Sequence, residues 1–223
     1  MRFCLVTICY GLLQERSFST YFENNIIRSI LKVGEERAKK NLTNFQYSND
    51  CLGRFLDKLK ASPHGSNTIV FATGDHNNLM LFDFSPSQMY YKLSVPSLMF
   101  IPQKYLGNSR IDTSRWGSHK DIFPTLYNLA LSPTSYFNSG NDLLSQQTSN
   151  ESFYGVDCMS YIAMDDKGAV RFDSNPANYT WGINNNLSPL KSDTASSLMV
   201  KSRSYFATFY HYIKEIGDKK IPL

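Results

Sequence analysis

Asn67-Thr68-Ile69-Val70-Phe71-Ala72-Thr73-Gly74-Asp75-His76-Asn77 decides how this 223-residue chain is read. Four consecutive apolar residues, Ile69-Val70-Phe71-Ala72, stand between turn formers, the pattern of a strand covered on both faces as in a parallel sheet. Directly after it, an adjacent carboxylate and imidazole can turn an oxygen and a nitrogen toward one divalent cation, with Gly74 letting the backbone bend steeply. The bland alternative is that Asp75 caps the next turn and His76 fills space.

Upstream, Leu42, Phe45, Leu52, Phe55, Leu56 and Leu59 recur at helical spacing among Glu35, Arg37, Lys39, Lys40, Asp57 and Lys58, which predicts an amphipathic helix over residues 33–60. Ser62-Pro63-His64-Gly65 stops it. Downstream, Val95-Pro96-Ser97-Leu98-Met99-Phe100-Ile101 predicts a second strand, with Pro96 tolerable only near its beginning. In Gly117-Ser118-His119-Lys120-Asp121-Ile122-Phe123-Pro124-Thr125-Leu126, Asp121 can serve as N-cap, and Pro124 falls in a first turn where its missing N–H costs nothing. Helix, strand, loop, strand, loop, helix predicts an α/β fold with a mainly parallel sheet flanked by helices, and functional groups at the carboxyl ends of strands.

Past about Leu144 the texture changes. Gln146-Gln147-Thr148-Ser149-Asn150 reads as a polar linker, separating residues 1–145 from a small α+β appendage over 146–223. There, Ser160-Tyr161-Ile162-Ala163-Met164 and Ala169-Val170-Arg171-Phe172 flank an Asp165-Asp166-Lys167-Gly168 turn and predict a hairpin. Leu198, Tyr205, Phe209, Tyr212 and Ile216 predict a closing helix that packs on the sheet.

Composition excludes several classes. Aromatics at 14% within 42% hydrophobic residues supply a core, while charged residues at 19% fall below the usual ~25%, so Ser, Asn and Thr cover much of the surface. The net charge of +4 is spread rather than gathered in a run, which argues against nucleic acid as a partner. The longest apolar stretch, residues 3–13, includes Thr7, Tyr10 and Gly11 and is too short for the ~20 residues of a membrane span. Arg2 gives it the look of a weak signal peptide, but Gln14-Glu15-Arg16 stand where a small-residue cleavage site belongs, and it reads as a buried strand. Cys4, Cys9, Cys51 and Cys158 form no C-x-x-C pair and read as buried free thiols. Asn41, Asn150 and Asn178 match the N-x-S/T glycosylation pattern and read as incidental.

The order Phe45-Gln46-Tyr47-Ser48-Asn49-Asp50, Leu52-Gly53-Arg54-Phe55-Leu56, Asn67-Thr68-Ile69-Val70, Gly74-Asp75-His76, Val95-Pro96-Ser97-Leu98 and Asp121-Ile122-Phe123-Pro124-Thr125-Leu126 resembles the later half of a sulfatase-type catalytic domain. Within that alkaline-phosphatase-like superfamily it looks closest to the lipoteichoic-acid-synthase-like phosphoglycerol and phosphoethanolamine transferases, over about residues 38 to 145. The resemblance implies that Asp75 and His76 are a metal-ligand pair for zinc, manganese or magnesium, and that the ion polarises a phosphoryl or sulfuryl oxygen. Asp121 and Pro124 match residues that shape the helix start. His119, just before that helix, is a candidate to bind substrate oxygen or protonate a leaving group. His64 and His211 read as solvated or packed. No residue is assigned to an organic cofactor.

The departures are as informative. Relatives begin with a unit supplying an acidic ligand and a helix bearing the nucleophile, and neither Cys-x-Pro-x-Arg nor Ser-x-Pro-x-Arg occurs here. Where relatives place a His-x-Pro-type substrate loop, this chain has Tyr10-Gly11-Leu12-Leu13. A truncated product of a longer gene is therefore expected, its relatives anchored in the inner membrane with the catalytic domain outside, acting on lipid-headgroup or other phosphate and sulfate esters. A sheet edge left open would favour association. Two other readings stand beside this one: a catalytically inactive remnant or interaction module, and a nucleotide-sugar enzyme, which lacks a D-x-D pair and a glycine-rich phosphate loop.

Overall fold

The expected long helix forms because its ends and face agree. In the computed structural model, which describes residues 4–6, 30–77, 80–107, 111–131, 135–136, 138, 140–145, 153–191 and 196–219, α1 spans Glu35–Ala61. Glu35 and Glu36 sit in its first turn and Lys58 and Lys60 in its last, each sign opposing the local end of the helix dipole. Ser62 turns to extended geometry before Pro63, and its hydroxyl donates to the Leu59 carbonyl at 2.7 Å. A Cβ on Gly65 would stand 2.6 Å from the Leu59 oxygen, so the chain can fold back here only on glycine. The apolar stripe is covered by the described residues mainly near its two ends, at Ala38 and Leu56. Phe45 and Phe55 are 60% and 52% exposed, contrary to a uniformly buried face.

β1 (Cys4–Val6), β2 (Val70–Thr73) and β3 (Pro96–Phe100) form one sheet in the order β1-β3-β2. β1 runs parallel to β3, with Val6 opposite Leu98, whereas β2 runs antiparallel, with Val70 opposite Phe100 and Thr73 opposite Ser97. The expectation of a mainly parallel sheet is thereby corrected, since an apolar run reports burial but not direction. Nor is β2 fully covered: all four of its residues are half-buried. Residues 7–13, the rest of the stretch read as a strand, lie outside the described residues. Between β2 and β3, Pro86–Gln88 forms a 3-10 turn and α2 (Met89–Leu93) follows it. α3 (Gln103–Leu106) and α4 (Ile122–Ala130) come after β3. Val95, Met99, Leu143, Leu144 and Phe153 form the core beside this sheet, with Ile122 and Leu129 of α4 packed against it.

The second sheet is an antiparallel meander, β4 (Gly155–Asp157), β5 (Ile162–Met164), β6 (Gly168–Arg171), β7 (Ala177–Trp181) and β8 (Leu187–Leu190), in sequence order. The predicted hairpin is β5–β6, closed by Lys167 and Gly168 amides on the Asp165 carboxylate at 2.9 and 3.1 Å. Gly168 is obligatory, because a Cβ there would overlap the Tyr179 carbonyl oxygen. Alternation divides the strands: Ile162, Met164 and Ala169 face α2 and Trp116, while Ala163, Val170 and Phe172 face α5 (Ser197–Lys219). The closing helix therefore packs on this second sheet, and chiefly with its first half, through Leu198, Met199, Tyr205 and Phe206. Tyr210 and Ile213 are 64% and 53% exposed. Cys51 and Cys158 are free and half-buried, and burial pushes the Cys158 thiol up. Among the described residues no helix is long and apolar enough to cross a membrane.

Candidate active site

Where β2 ends, hydrogen bonds tie the chain to its neighbours. The Thr73 hydroxyl donates to the Pro96 carbonyl at 2.7 Å, and four residues on, the Asn77 side-chain amide donates to the Tyr91 carbonyl at 2.7 Å. Between these anchors lie Gly74, Asp75 and His76. The antiparallel pairing places this turn at the carboxyl end of β2 but at the amino ends of β1 and β3. The site thus belongs to one strand's end rather than to the carboxyl edge of a parallel sheet.

Asp75 and His76 come together in the open. Their side chains are 87% and 69% exposed, and Asp75 Oδ2 lies 3.4 Å from His76 Nε2. The His76 amide donates to Asp75 Oδ1 at 2.9 Å, and this bond, with smaller electrostatic help from His76 and His119, holds the Asp75 carboxyl below the usual carboxylate range. His76 Nδ1 lies 2.8 Å from the Asn77 carbonyl oxygen. A carbonyl can only accept, so Nδ1 donates there and Nε2 is left on the side facing Asp75. The third predicted residue also arrives: His119 Nε2 donates to the Gly74 carbonyl at 2.9 Å. Asp75, His76 and His119 therefore share one turn, although 43 positions separate His119 from His76 in the chain.

His119 is held there by a buried clamp. Ser118 begins the 3-10 turn His119–Asp121, and its amide donates to Asp121 Oδ2 at 2.8 Å. The Asn141 amide donates to Asp121 Oδ1 at 2.7 Å, and Lys120 Nζ reaches both carboxylate oxygens at 2.6 and 2.8 Å. Asp121 occupies the N-cap position of α4, yet its carboxylate caps the preceding turn rather than the helix amides. Thr125 extends the clamp, donating to the Asp121 carbonyl and accepting from the Leu143 amide. A Cβ on Gly140 would overlap the Lys120 carbonyl, so this loop closes only on glycine. His64 and His211 are exposed and take no part.

Gly74 has a different status from the one its position suggests. Its φ is outside the left-handed region, and an added Cβ would meet Val95 and the His76 carbonyl at 3.6 Å, ordinary contact. Gly74→Ala should accordingly leave stability unchanged or raise it by up to about 1 kcal/mol, through a less disordered unfolded chain. A urea titration showing a loss larger than about 1 kcal/mol would contradict this.

Asp75 and His76 are chemically a sound pair of donors for a zinc- or manganese-class ion, but two donors fall short of the three usual in catalytic zinc sites. Among the described residues, no group of three or more His, Cys, Asp or Glu side chains could hold a metal ion. Sequence reasoning missed one further feature, a cavity of about 260 Å3 lined by Arg115, Trp116, Trp181 and residues of the second sheet's turns. The signal was present in the Ser114-Arg115-Trp116 run just ahead of His119.

No curated protein and no solved structure matches the chain. The family model described as Sulfatase matches residues 14–132, which include Asp75, His76, His119 and the clamp residues Lys120 and Asp121 and leave the second sheet outside. Because that match takes in more than half of the 223 residues, the chain belongs to the sulfatase family.

Proposed function

We propose that the chain carries part of a divalent-metal site for cleaving or transferring phosphoric or sulfuric esters, with Asp75 and His76 as ligands. The observation that carries this reading is the ring orientation of His76: its Nδ1–H is spent on Asn77, and Nε2 faces a carboxylate that stays ionised into the acid range. A bound ion would polarise an ester oxygen and lower the pKa of a hydroxyl nucleophile. His119, hydrogen-bonded to the carbonyl just before Asp75, is positioned to bind a substrate oxygen or to supply a proton to the departing one. By resemblance, the finer reading is phosphoglycerol- or phosphoethanolamine-type headgroup transfer at the outer face of a membrane. Residues 1–145 would then be the later part of a catalytic domain, and 146–223 a subdomain.

The test is turnover of aryl sulfates, aryl phosphodiesters and headgroup-donor lipids by chelator-stripped protein, with manganese, zinc or magnesium restored one at a time. Activity that returns only with metal supports the assignment. Activity indifferent to chelator and metal alike would falsify it. A second reading, a non-catalytic binding module, draws on the two-donor site. Calorimetric titration with manganese or zinc separates the two, because micromolar binding abolished by His76→Ala speaks against a dead remnant.

A further inference from the structure

The second sheet lies outside residues 14–132, yet it reaches the Asp75–His76 turn through Tyr91. Tyr91 sits on α2, and α2 is fastened to that sheet: Leu93 is buried against Ile162, Met164, Ala169 and Leu187, and Met89 and Tyr90 pack on the same cluster. Tyr90 also meets the Trp181 ring edge-on, with centroids 5.9 Å apart. A helix of five residues leaves its last-turn carbonyls without amides ahead of them in the helix. The Ser94 amide and hydroxyl donate to the Tyr90 carbonyl, and the Asn77 side-chain amide donates to the Tyr91 carbonyl at 2.7 Å. The Tyr91 hydroxyl in turn donates to the Asn184 carbonyl at 2.7 Å, in the turn between β7 and β8. Asn184 and Asn185 have φ of 54° and 55°, left-handed backbone that persists outside glycine only where neighbouring contacts hold it, and this hydroxyl is one of them.

Asn77 works from both of its polar ends. Its side chain is tied to α2, while its carbonyl accepts from His76 Nδ1 at 2.8 Å. With 69% of the His76 side chain exposed, packing contributes little to the ring's orientation, and directional bonds decide it. A residue that merely closed the turn would find its partners nearby. Here the first link spans 14 positions of sequence and the second 93, so the chain of contacts joins the turn to the second sheet rather than to itself. The competing arrangement is also visible in the geometry. Asp75 Oδ2 lies 3.4 Å from His76 Nε2, so a ring released from the Asn77 carbonyl can move its hydrogen to Nε2 and donate to the carboxylate. That arrangement would spend both of the exposed donor atoms on each other.

We propose that Asn77 and Tyr91 are positioning residues through which the second sheet sets the ring orientation of His76. The strained β7–β8 turn, the Tyr91 hydroxyl, the Tyr91 carbonyl and the Asn77 amide form one linkage, and the His76 ring is its last member. The consequence for a bound ion rests on the ester-processing reading, whereas the ring orientation does not.

The test needs no metal. Two-bond proton–nitrogen correlations of the full chain, labelled with nitrogen-15 and freed of metal by chelator, report which ring nitrogen carries the hydrogen at a pH well above the ordinary imidazole range. The chain has four histidines, and His76 is assigned by the signal that His76→Gln removes. Wild type should hold mainly the Nδ1–H form. Asn77→Leu, which keeps the bulk and loses the amide, should lower the ratio of Nδ1–H to Nε2–H rings about threefold to tenfold, as loss of one hydrogen bond would. Asn77→Gln keeps a donor and should recover part of the ratio. Tyr91→Phe removes only a hydroxyl and should lower the ratio by less, with no further effect once Asn77→Leu has cut the linkage. The proposal is overturned by a wild-type ring mainly in the Nε2–H form, by a ratio that Asn77→Leu or Tyr91→Phe leaves unchanged, or by a Tyr91→Phe effect that persists in full beside Asn77→Leu. Zinc calorimetry on the same proteins keeps the two readings apart: wild type that takes up no zinc counts against the metal site, and the ring series still decides the linkage.

Discussion

Asp121→Ala lowers the free energy of unfolding by about 3–5 kcal/mol, the range for breaking a buried ion pair from one side. The Lys120 and Asp121 side chains are 2% and 1% exposed, so the ammonium left behind cannot recover its hydration. The Tyr154 ring, 4.4 Å from Lys120 Nζ, is the weaker partner that would remain. The amides of Ser118 and Asn141 lose their acceptor as well, each leaving a donor whose desolvation costs about 1–3 kcal/mol if unmet. Asp121→Asn keeps an acceptor oxygen and should fall between wild type and alanine. Pairing Asp121→Asn with Lys120→Met removes both charges and should recover part of the loss, since well-packed neutral replacements of buried pairs are often tolerated. Urea unfolding at low and high salt reads the series. The deficit should persist at high salt, because buried pairs are poorly screened. A cost below about 1 kcal/mol for Asp121→Ala would mean that the clamp is not what holds this loop.

The contrast between Asp75 and Asp121 shows where sequence reading succeeds and where it stops. The segment around Asp75 was legible because its information is local: an apolar run, a turn, and two adjacent ligating side chains. The α4 start was legible for the same reason, with proline and aspartate near its first turn. Burial of Lys120 was not legible, since it depends on Asn141 and Gly140 arriving from about twenty positions away. The direction of β2 was hidden because β2 and β3 are both apolar runs, and either orientation would satisfy them. Of the stripe read as a packing face on α5, Leu198 and Tyr205 pack while Phe209, Tyr212 and Ile216 stay exposed, and because periodicity carries no address, the partner proved to be β5 and β6 rather than the first sheet. The Trp116–Trp181 cavity likewise needs four segments to meet.

The site makes the second strong demand. Asp75→Ala should reduce metal-dependent ester turnover at least about a hundredfold, since disturbing even the outer partners of metal ligands costs about 10–100-fold. His119→Gln should reduce it by about 10²–10⁴, the usual contribution of a positioned proton-transfer group. Neither change should shift unfolding by much more than about 1 kcal/mol: Asp75 is exposed, and the exposed His119 reaches the Gly74 carbonyl through a hydrogen bond that glutamine can partly replace. The depressed Asp75 pKa carries a sign. Its carboxylate gives up its charge at lower pH than an ordinary aspartate does, so its contribution to metal binding is lost at correspondingly lower pH. Because the two residues would act on one reacting ester, the double variant should be little worse than the poorer single, as for groups that work as a unit. If the losses multiply instead, or if either variant turns over normally while folding normally, His119 and Asp75 are not parts of one site. The contact between His119 and Gly74 would then be a loop fastening and nothing more.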